Sequence, residues 1–234
     1  MKKIFINFIS NLYRNFIPKR LRILMKKLFK FFYYKFRFIK LKTYLSFSNN
    51  DVNLILGAAL TKQKGWFSTN EEWFDIVQKS HWDNLFNSKK RVKKVLAEHV
   101  FEHLTLDEMR CALNLIYKNM VCGGSLRIAV PDGNNPNKKY RDHCGINGIG
   151  ADASDYKQFI TFELLSNEIQ KIGFKFILKE GYLQNRELIT EKLNVELGII
   201  MRSRSNKINI KSKEGWSFPD SNTSLIVDCF KVDD

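Results

Sequence analysis

LAEHVFEHLTLDEMRCALNLIYKNMVCGGSLRIAVPDG, Leu96 to Gly133, is the stretch on which the fold turns. Its first part holds HVFEH, His99 to His103, an H-x-x-E-H string of the kind that binds zinc in one class of peptidase. That chemistry needs both histidines on one face of one helix. TLDE, Thr105 to Glu108, decides against it. T-x-x-E is a capping box: the threonine hydroxyl takes the amide three residues on and the glutamate reaches back, so the helix begins after Thr105. Upstream, Val92 to Ala97 (VKKVLA) reads as a strand, so the two histidines sit between a strand end and a helix start. Thr105 to Met120 reads as a helix with Leu106, Met109, Leu113, Ile116 and Tyr117 on one face. Gly123-Gly124 is expected to stop it, Ser125 to Val130 to form the next strand, and Pro131-Asp132-Gly133 to end that strand.

The alternation continues on both sides. Val52 to Leu56 is a short apolar run ending at Gly57, and Trp66-Phe67 starts a second strand. Residues 159–171 read as a helix ending before Gly173; Phe174 to Leu178 and Thr223 to Phe230 read as strands. The polar, basic stretch 184–222 reads as an insertion before the last strand. Strands separated by helices predict an α/β, Rossmann-like, mostly parallel sheet with helices on both faces. Ligands of such sheets bind beyond the carboxyl ends of strands. Three clusters fall there: Gly57-Ala58-Ala59; Glu98, His99, Glu102 and His103; and Pro131-Asp132-Gly133. They predict one shared crevice.

Charge is unevenly spread. The formal net charge is +15, and all 24 acidic residues follow Asn50. Residues 1–45 interleave Lys and Arg with Phe, Tyr, Ile and Leu, and SFSNND, Ser46 to Asp51, reads as a linker. This divides the chain into a basic, amphipathic helical arm, 1–45, and a main domain, 46–234. The uncharged run Ile4 to Tyr13 is half of what a membrane span needs. After Pro18, Leu21, Leu24, Met25, Leu28, Phe31 and Phe32 recur at helical spacing, with Arg22, Lys26, Lys27 and Lys30 mostly on the other side. Such a helix suits an anionic membrane surface; packing on the domain or on a partner is the alternative. No base-reading module is visible, which disfavours nucleic acid as a partner. Cys111, Cys122, Cys144 and Cys229 form no C-x-x-C pair, which suits a reducing cytoplasm, with the protein peripheral at the inner membrane face. No metal-ligand set is expected.

With these elements in place, Leu96 to Gly133 resembles the class I S-adenosylmethionine-dependent methyltransferases. In these a strand ends near E-H-V-x-E-H-L and is followed by a helix, an L-K-P-G-G turn and a strand; here the turn is Met120 to Gly124. The likeness runs back through LILGAALTKQKGWFSTNEEWFDI and forward to TSLIVDCFK. It is similar to predicted bacterial methyltransferases associated with surface-polysaccharide synthesis. The resemblance implies S-adenosylmethionine as cofactor and a small or glycan-linked hydroxyl as acceptor. It implies that Gly57, Ala58 and Ala59 approach the methionine part, that Asn70 or Glu71 grips the ribose, and that Asp75 and Trp82 to Phe86 enclose the adenine. Glu98 and His99 would end a fourth strand beside the cofactor's methionine part or the transferred methyl, with Glu98 among the cofactor-binding residues, and Asp132 would follow a fifth, facing the acceptor. A hydroxyl acceptor needs a base: His103, then His99 and Asp132, are the candidates.

Ala59 stands where the second glycine of G-x-G is usual, and its backbone is therefore expected to avoid positive φ. Tyr156 stands where relatives often have His, and Arg202-Ser203 survive from a longer late motif. These departures motivate an alternative reading, a catalytically weak or inactive methyltransferase-like domain serving as a membrane-associated scaffold. A nicotinamide oxidoreductase would need the full G-x-G-x-x-G.

Overall fold

The structure is a computed structural model that describes residues 18–59, 61–87, 89–150, 153–204 and 224–232. Expectations for residues 1–17, including the run Ile4 to Tyr13, and for 205–223 lie outside the described residues. In chain order the elements are helix α1 (Lys19–Phe47), strands β1 (Val52–Leu56) and β2 (Phe67–Ser68), helix α2 (Lys79–Phe86) and strand β3 (Val92–Glu98). Helix α3 (Leu106–Asn119), strand β4 (Met120–Pro131), helices α4 (Lys138–Cys144) and α5 (Phe162–Ile172), and strands β5 (Lys175–Tyr182), β6 (Leu188–Thr190) and β7 (Ser224–Phe230) follow.

The strands form one sheet in the order β2-β1-β3-β4-β7-β5-β6. β2, β1, β3 and β4 are parallel, β7 runs antiparallel to both β4 and β5, and β6 is antiparallel to β5. This is the expected Rossmann-like α/β architecture. Val92–Glu98 is third in chain order, however. The described residues hold no strand between Ser68 and Val92, where the resemblance counts one more; α2 occupies that connection.

Thr105 begins α3 as its sequence dictates. Its hydroxyl accepts from the Glu108 amide at 3.3 Å, and the Glu108 carboxylate accepts from the Thr105 amide at 2.7 Å. Met109, Leu113 and Ile116 on its apolar face are fully buried, each contributing about 1.5–3 kcal/mol by leaving water. The main core joins them to Leu54, Leu56, Val95, Leu126 and Ile128 from one sheet face, and to Trp82, Leu165, Ile169 and Leu41 from the helices. On the other face Ile55, Leu96, Ala129 and Ile226 meet Ile200, with Trp66 and Leu193 packed against them.

Three differences from expectation bear on the architecture. α3 ends at Asn119 and β4 starts at Met120, so Gly123-Gly124 lie within the strand instead of stopping the helix. They make an irregularity there: Val92 pairs with Met120 but Lys94 with Ser125. Gly123 takes φ +69° and donates to the Lys231 carbonyl, and a Cβ on Gly124 would lie 2.3 Å from Met120 Cγ. α1 extends into the first two residues of the expected linker, to Phe47. Arg91 caps it: its guanidinium donates to the carbonyls of Leu45 at 2.8 Å and Ser48 at 2.6 Å, and to that of Asn50. The Leu45 carbonyl is one that a helix end leaves without a partner, and the other two lie just past that end. The third difference is residues 184–204, which are not a detached insertion. They supply edge strand β6, a turn at Val195–Leu197 and the buried Ile200.

Candidate ligand cavity at the strand ends

β1 and β3 are neighbours in the sheet, and the chain leaves β1 toward β2 on one side and reaches β3 on the other. The crevice beyond their carboxyl ends is therefore a switch point of strand order, the usual ligand position in open α/β sheets. A cavity of about 330 Å³ lies there, lined by Ile55 to Ala59, Thr61, Leu96, Glu98, His99, His103, Tyr156, Met201 and Arg202.

The first wall is a turn of small residues. Gly57 takes φ +53°, and a Cβ on it would lie 2.7 Å from Val100 Cγ2, so only glycine fits. The Ala58 amide donates to the Thr69 carbonyl at 2.8 Å. Ala59 takes φ +45°, which corrects the expectation that an alanine there would keep its backbone out of the left-handed region.

The second wall is HVFEH. His99 also has positive φ, +54°, and donates its amide to the Ala129 carbonyl at 2.8 Å. Phe101–His103 then forms one 3₁₀ turn before the Thr105 cap. His99 Nδ1 lies 3.1 Å from Glu102 Oε1, with both side chains almost fully buried. The approach is close but off the line of a hydrogen bond, and neither Glu102 oxygen has an aligned side-chain or backbone donor among the described residues. A buried carboxylate in that state favours a cation beside it. His99 Nε2 faces Ser224 Oγ at 3.2 Å. His103 packs against Tyr156, ring centroids 5.0 Å apart and nearly perpendicular.

The third wall is residues 201–204, held by two carboxylates. Glu98 accepts from the amides of Met201 at 3.1 Å and Arg202 at 2.8 Å. The fully buried Glu180 accepts from the Arg204 amide at 2.8 Å and from the Ser203 hydroxyl.

Of the residues singled out from sequence, Gly57, Ala58, Ala59, Glu98, His99 and His103 come together around this cavity. Asn70, Glu71, Asp75 and Asp132 do not line it. Asn70 is buried just beyond β2, with its side-chain carbonyl oxygen unpartnered among the described residues, and Glu71 is exposed. Asp75 shapes the turn into α2, accepting from the Val77 amide at 3.0 Å while its own amide donates to His81 Nδ1 at 2.8 Å. Trp82 is a core residue with its indole N–H on the Ile76 carbonyl. Asp132 is fully buried and accepts from the amides of Asn134 at 3.1 Å and Tyr182 at 2.9 Å. Burial pushes its carboxyl up to about 6 despite those amides and Arg204, 3.8 Å away. Sequence reading assigned no site role to the Glu102–His99 approach, Tyr156, or the 201–204 wall. The three-residue spacing of His99 and Glu102 was the available signal for the first; the others depend on contacts far apart in the chain.

No protein-family model matches the chain, and a search of curated proteins finds no match. Among solved structures it is similar to a SAM-dependent methyltransferase from Archaeoglobus fulgidus, at 18% identity over 83% of this chain and 93% of that one, with a TM-score of 0.46. A SAM-dependent methyltransferase from Thermotoga maritima is 15% identical over 90% of this chain and 96% of that one, with a TM-score of 0.42. A Haemonchus contortus phosphoethanolamine N-methyltransferase in complex with S-adenosyl-L-methionine is 10% identical over 63% of this chain and 38% of that one, with a TM-score of 0.36.

Proposed function

We propose that the chain is an S-adenosylmethionine-dependent methyltransferase acting on a small or glycan-linked hydroxyl in surface-polysaccharide synthesis. Residues 46–234 are the catalytic unit, and residues 1–45 hold it against the cytoplasmic face of a membrane. The observation that carries the reading is the cavity at the switch point, between a glycine–alanine turn and an imidazole backed by a buried carboxylate.

The residues present fit the cofactor. Gly57 to Ala59 bring backbone to the cavity with no side chain longer than a methyl, and at Gly57 there is no room for even that methyl. S-adenosylmethionine would be held against Gly57 to Ala59 and would supply a methyl on a cationic sulfonium for transfer to the acceptor oxygen. His99 takes the acceptor's proton on Nε2, where the acceptor hydroxyl replaces Ser224 Oγ as its neighbour. The Glu102 carboxylate beside Nδ1 stabilises the imidazolium that forms. Sequence order favoured His103 as the base; the carboxylate gives His99 the stronger case, while His103, edge-on to Tyr156, shapes the wall. Glu98 fixes Met201 and Arg202 over the site, so that alignment of acceptor with methyl is built into the walls.

Calorimetric titration of the purified protein with S-adenosylmethionine tests the reading: a saturable heat is expected, and no heat with no thermal shift at millimolar cofactor would overturn it. With an acceptor found by screening glycan precursors against labelled cofactor, Glu102→Gln should lower kcat about 10- to 100-fold and leave the KM for cofactor unchanged. An unchanged kcat would reassign Glu102 to structure. Ala59, which puts a Cβ where a second glycine would have none, supports the alternative reading as a non-catalytic scaffold. Absent cofactor binding with a copurifying partner would favour that.

A further inference from the structure

α1 presents two faces. Toward the domain, Leu41 is fully buried and Phe38 meets Trp73 edge to face, ring centroids 5.7 Å apart. Elsewhere Leu21, Met25, Leu28, Phe32, Phe36 and Ile39 follow one another at steps of three and four and stay 43–66% exposed. An apolar stripe of that length in water marks an interaction surface. The 29-residue helix contains no acidic residue. No described helix is long and apolar enough to cross a membrane, so a bilayer would take this one lying in its interface.

Between α1 and the segment from Glu72 to Asn84 lies a groove of about 550 Å³ that shares no lining residue with the strand-end cavity. Its walls are Phe31, Tyr34, Phe38 and Trp73, and Lys27, Lys30 and Lys35 stand along it. The one carboxylate lining it, Glu72, lies 2.5 Å from Lys30, which leaves Lys27 and Lys35 without a carboxylate partner among the described residues. The Trp73 indole N–H is buried with no acceptor among them. Aromatic walls, two ammonium groups without a carboxylate partner, one of them, Lys35, over the Phe31 ring at 5.8 Å, and an unmet N–H donor together describe the complement of an anionic amphiphile.

We propose that this groove takes an acyl chain of an anionic phospholipid from the bilayer surface in which the α1 stripe lies. Its phosphate is within the reach of Lys27 and Lys35, and an ester carbonyl meets the Trp73 N–H. Each basic side chain near such a surface contributes about 1 kcal/mol, and salt screens that contribution. The proposal rests on the membrane part of the reading above and not on methyl transfer.

The full chain is floated with vesicles of phosphatidylglycerol or of phosphatidylcholine, and its tryptophan emission is followed with phosphatidylglycerol brominated on the acyl chains. Flotation is expected with phosphatidylglycerol alone, weakening several-fold as ionic strength rises from about 0.1 to about 0.5 M. Acyl-chain bromine should quench emission, and Trp73→Phe should lose most of that quenching while still floating. Flotation without quenching, or quenching unchanged in Trp73→Phe, would remove the groove and leave the membrane reading standing. Equal flotation with both lipids would overturn the electrostatic account. No flotation, with a dimer in sedimentation that Phe32→Glu dissociates, would assign the stripe to a second copy and remove the membrane reading too. Cofactor calorimetry is independent of all of these outcomes.

Discussion

Ala59 sits where an L-residue's Cβ is crowded, φ +45°, which costs about 1–2 kcal/mol relative to glycine. The surroundings hold it there: the preceding residue donates to Thr69 and accepts from the Thr61 amide at 2.6 Å, closing the turn on both sides. Ala59→Gly relieves the strain and gives back part of the gain through a freer unfolded chain. Urea unfolding should show a net rise of up to about 1 kcal/mol, and cofactor affinity should rise with it; a loss of stability would mean that the turn is not strained. Asp132 offers a pH test. Its carboxyl titrates at about 6 in the fold against an ordinary 3.8, so the folded state binds the extra proton between those values. Its contribution is full below about pH 4 and is lost as pH rises through 6, by about 3 kcal/mol at 1.36 kcal/mol per unit. Asp132→Asn should therefore destabilise most at pH 4 and progressively less by pH 7; a gap that widens with pH would contradict this. At this scale the sequence was legible where chemistry is local. Gly57 marks a turn, and the Thr105 box fixes where His99 and His103 lie. Ala59's backbone was not legible, because alanine disfavours the conformation that its neighbours impose.

β4 shows what an element hides. SLRIAV reads as an ordinary buried strand with one basic residue on its second face, yet Arg127 is only 1% exposed. Its guanidinium grips both Asp228 oxygens, at 2.6 and 2.7 Å, and donates to the carbonyls of Asn194 at 2.8 Å and Gly198 at 2.6 Å. Pairing β4 antiparallel to β7 brings Arg127 opposite Asp228, 101 residues on. Nothing local to either residue announces the partner, which is why residues 184–204 looked like an insertion. Removing one half of a buried pair strands the other charge, so Arg127→Met should cost about 3–5 kcal/mol in urea unfolding. The double change Arg127→Met with Asp228→Leu should recover much of that. It should not restore slow amide exchange in residues 195–204, because the two carbonyls still lack their donor. Full recovery of that protection would show that the pair, and not its hold on the backbone, matters.

At the scale of the whole molecule, the strand-end cavity and the α1 groove draw on different parts of the chain. The cavity depends on β1, β3 and the wall that Glu98 and Glu180 hold; the groove depends on α1 and the 72–84 segment. That the cavity lies at strand ends was legible because β1 and β3 are each a short apolar run ended by a turn; the order of the strands was not. The groove was not, because it exists only through the docking of Leu41 and Phe38 onto a core assembled from later residues. Two sites with no shared wall should respond separately. Saturating S-adenosylmethionine at about a hundredfold over its Kd should raise the unfolding free energy by about 2.7 kcal/mol. In amide exchange it should slow residues 57–59 and 201–204 beyond that global gain, without extra protection of α1. Phosphatidylglycerol vesicles should do the reverse, protecting α1 and leaving 201–204 unchanged. Protection of both regions by either ligand would instead mean that α1 and the cavity form one coupled unit, in which lipid binding sets the affinity for cofactor.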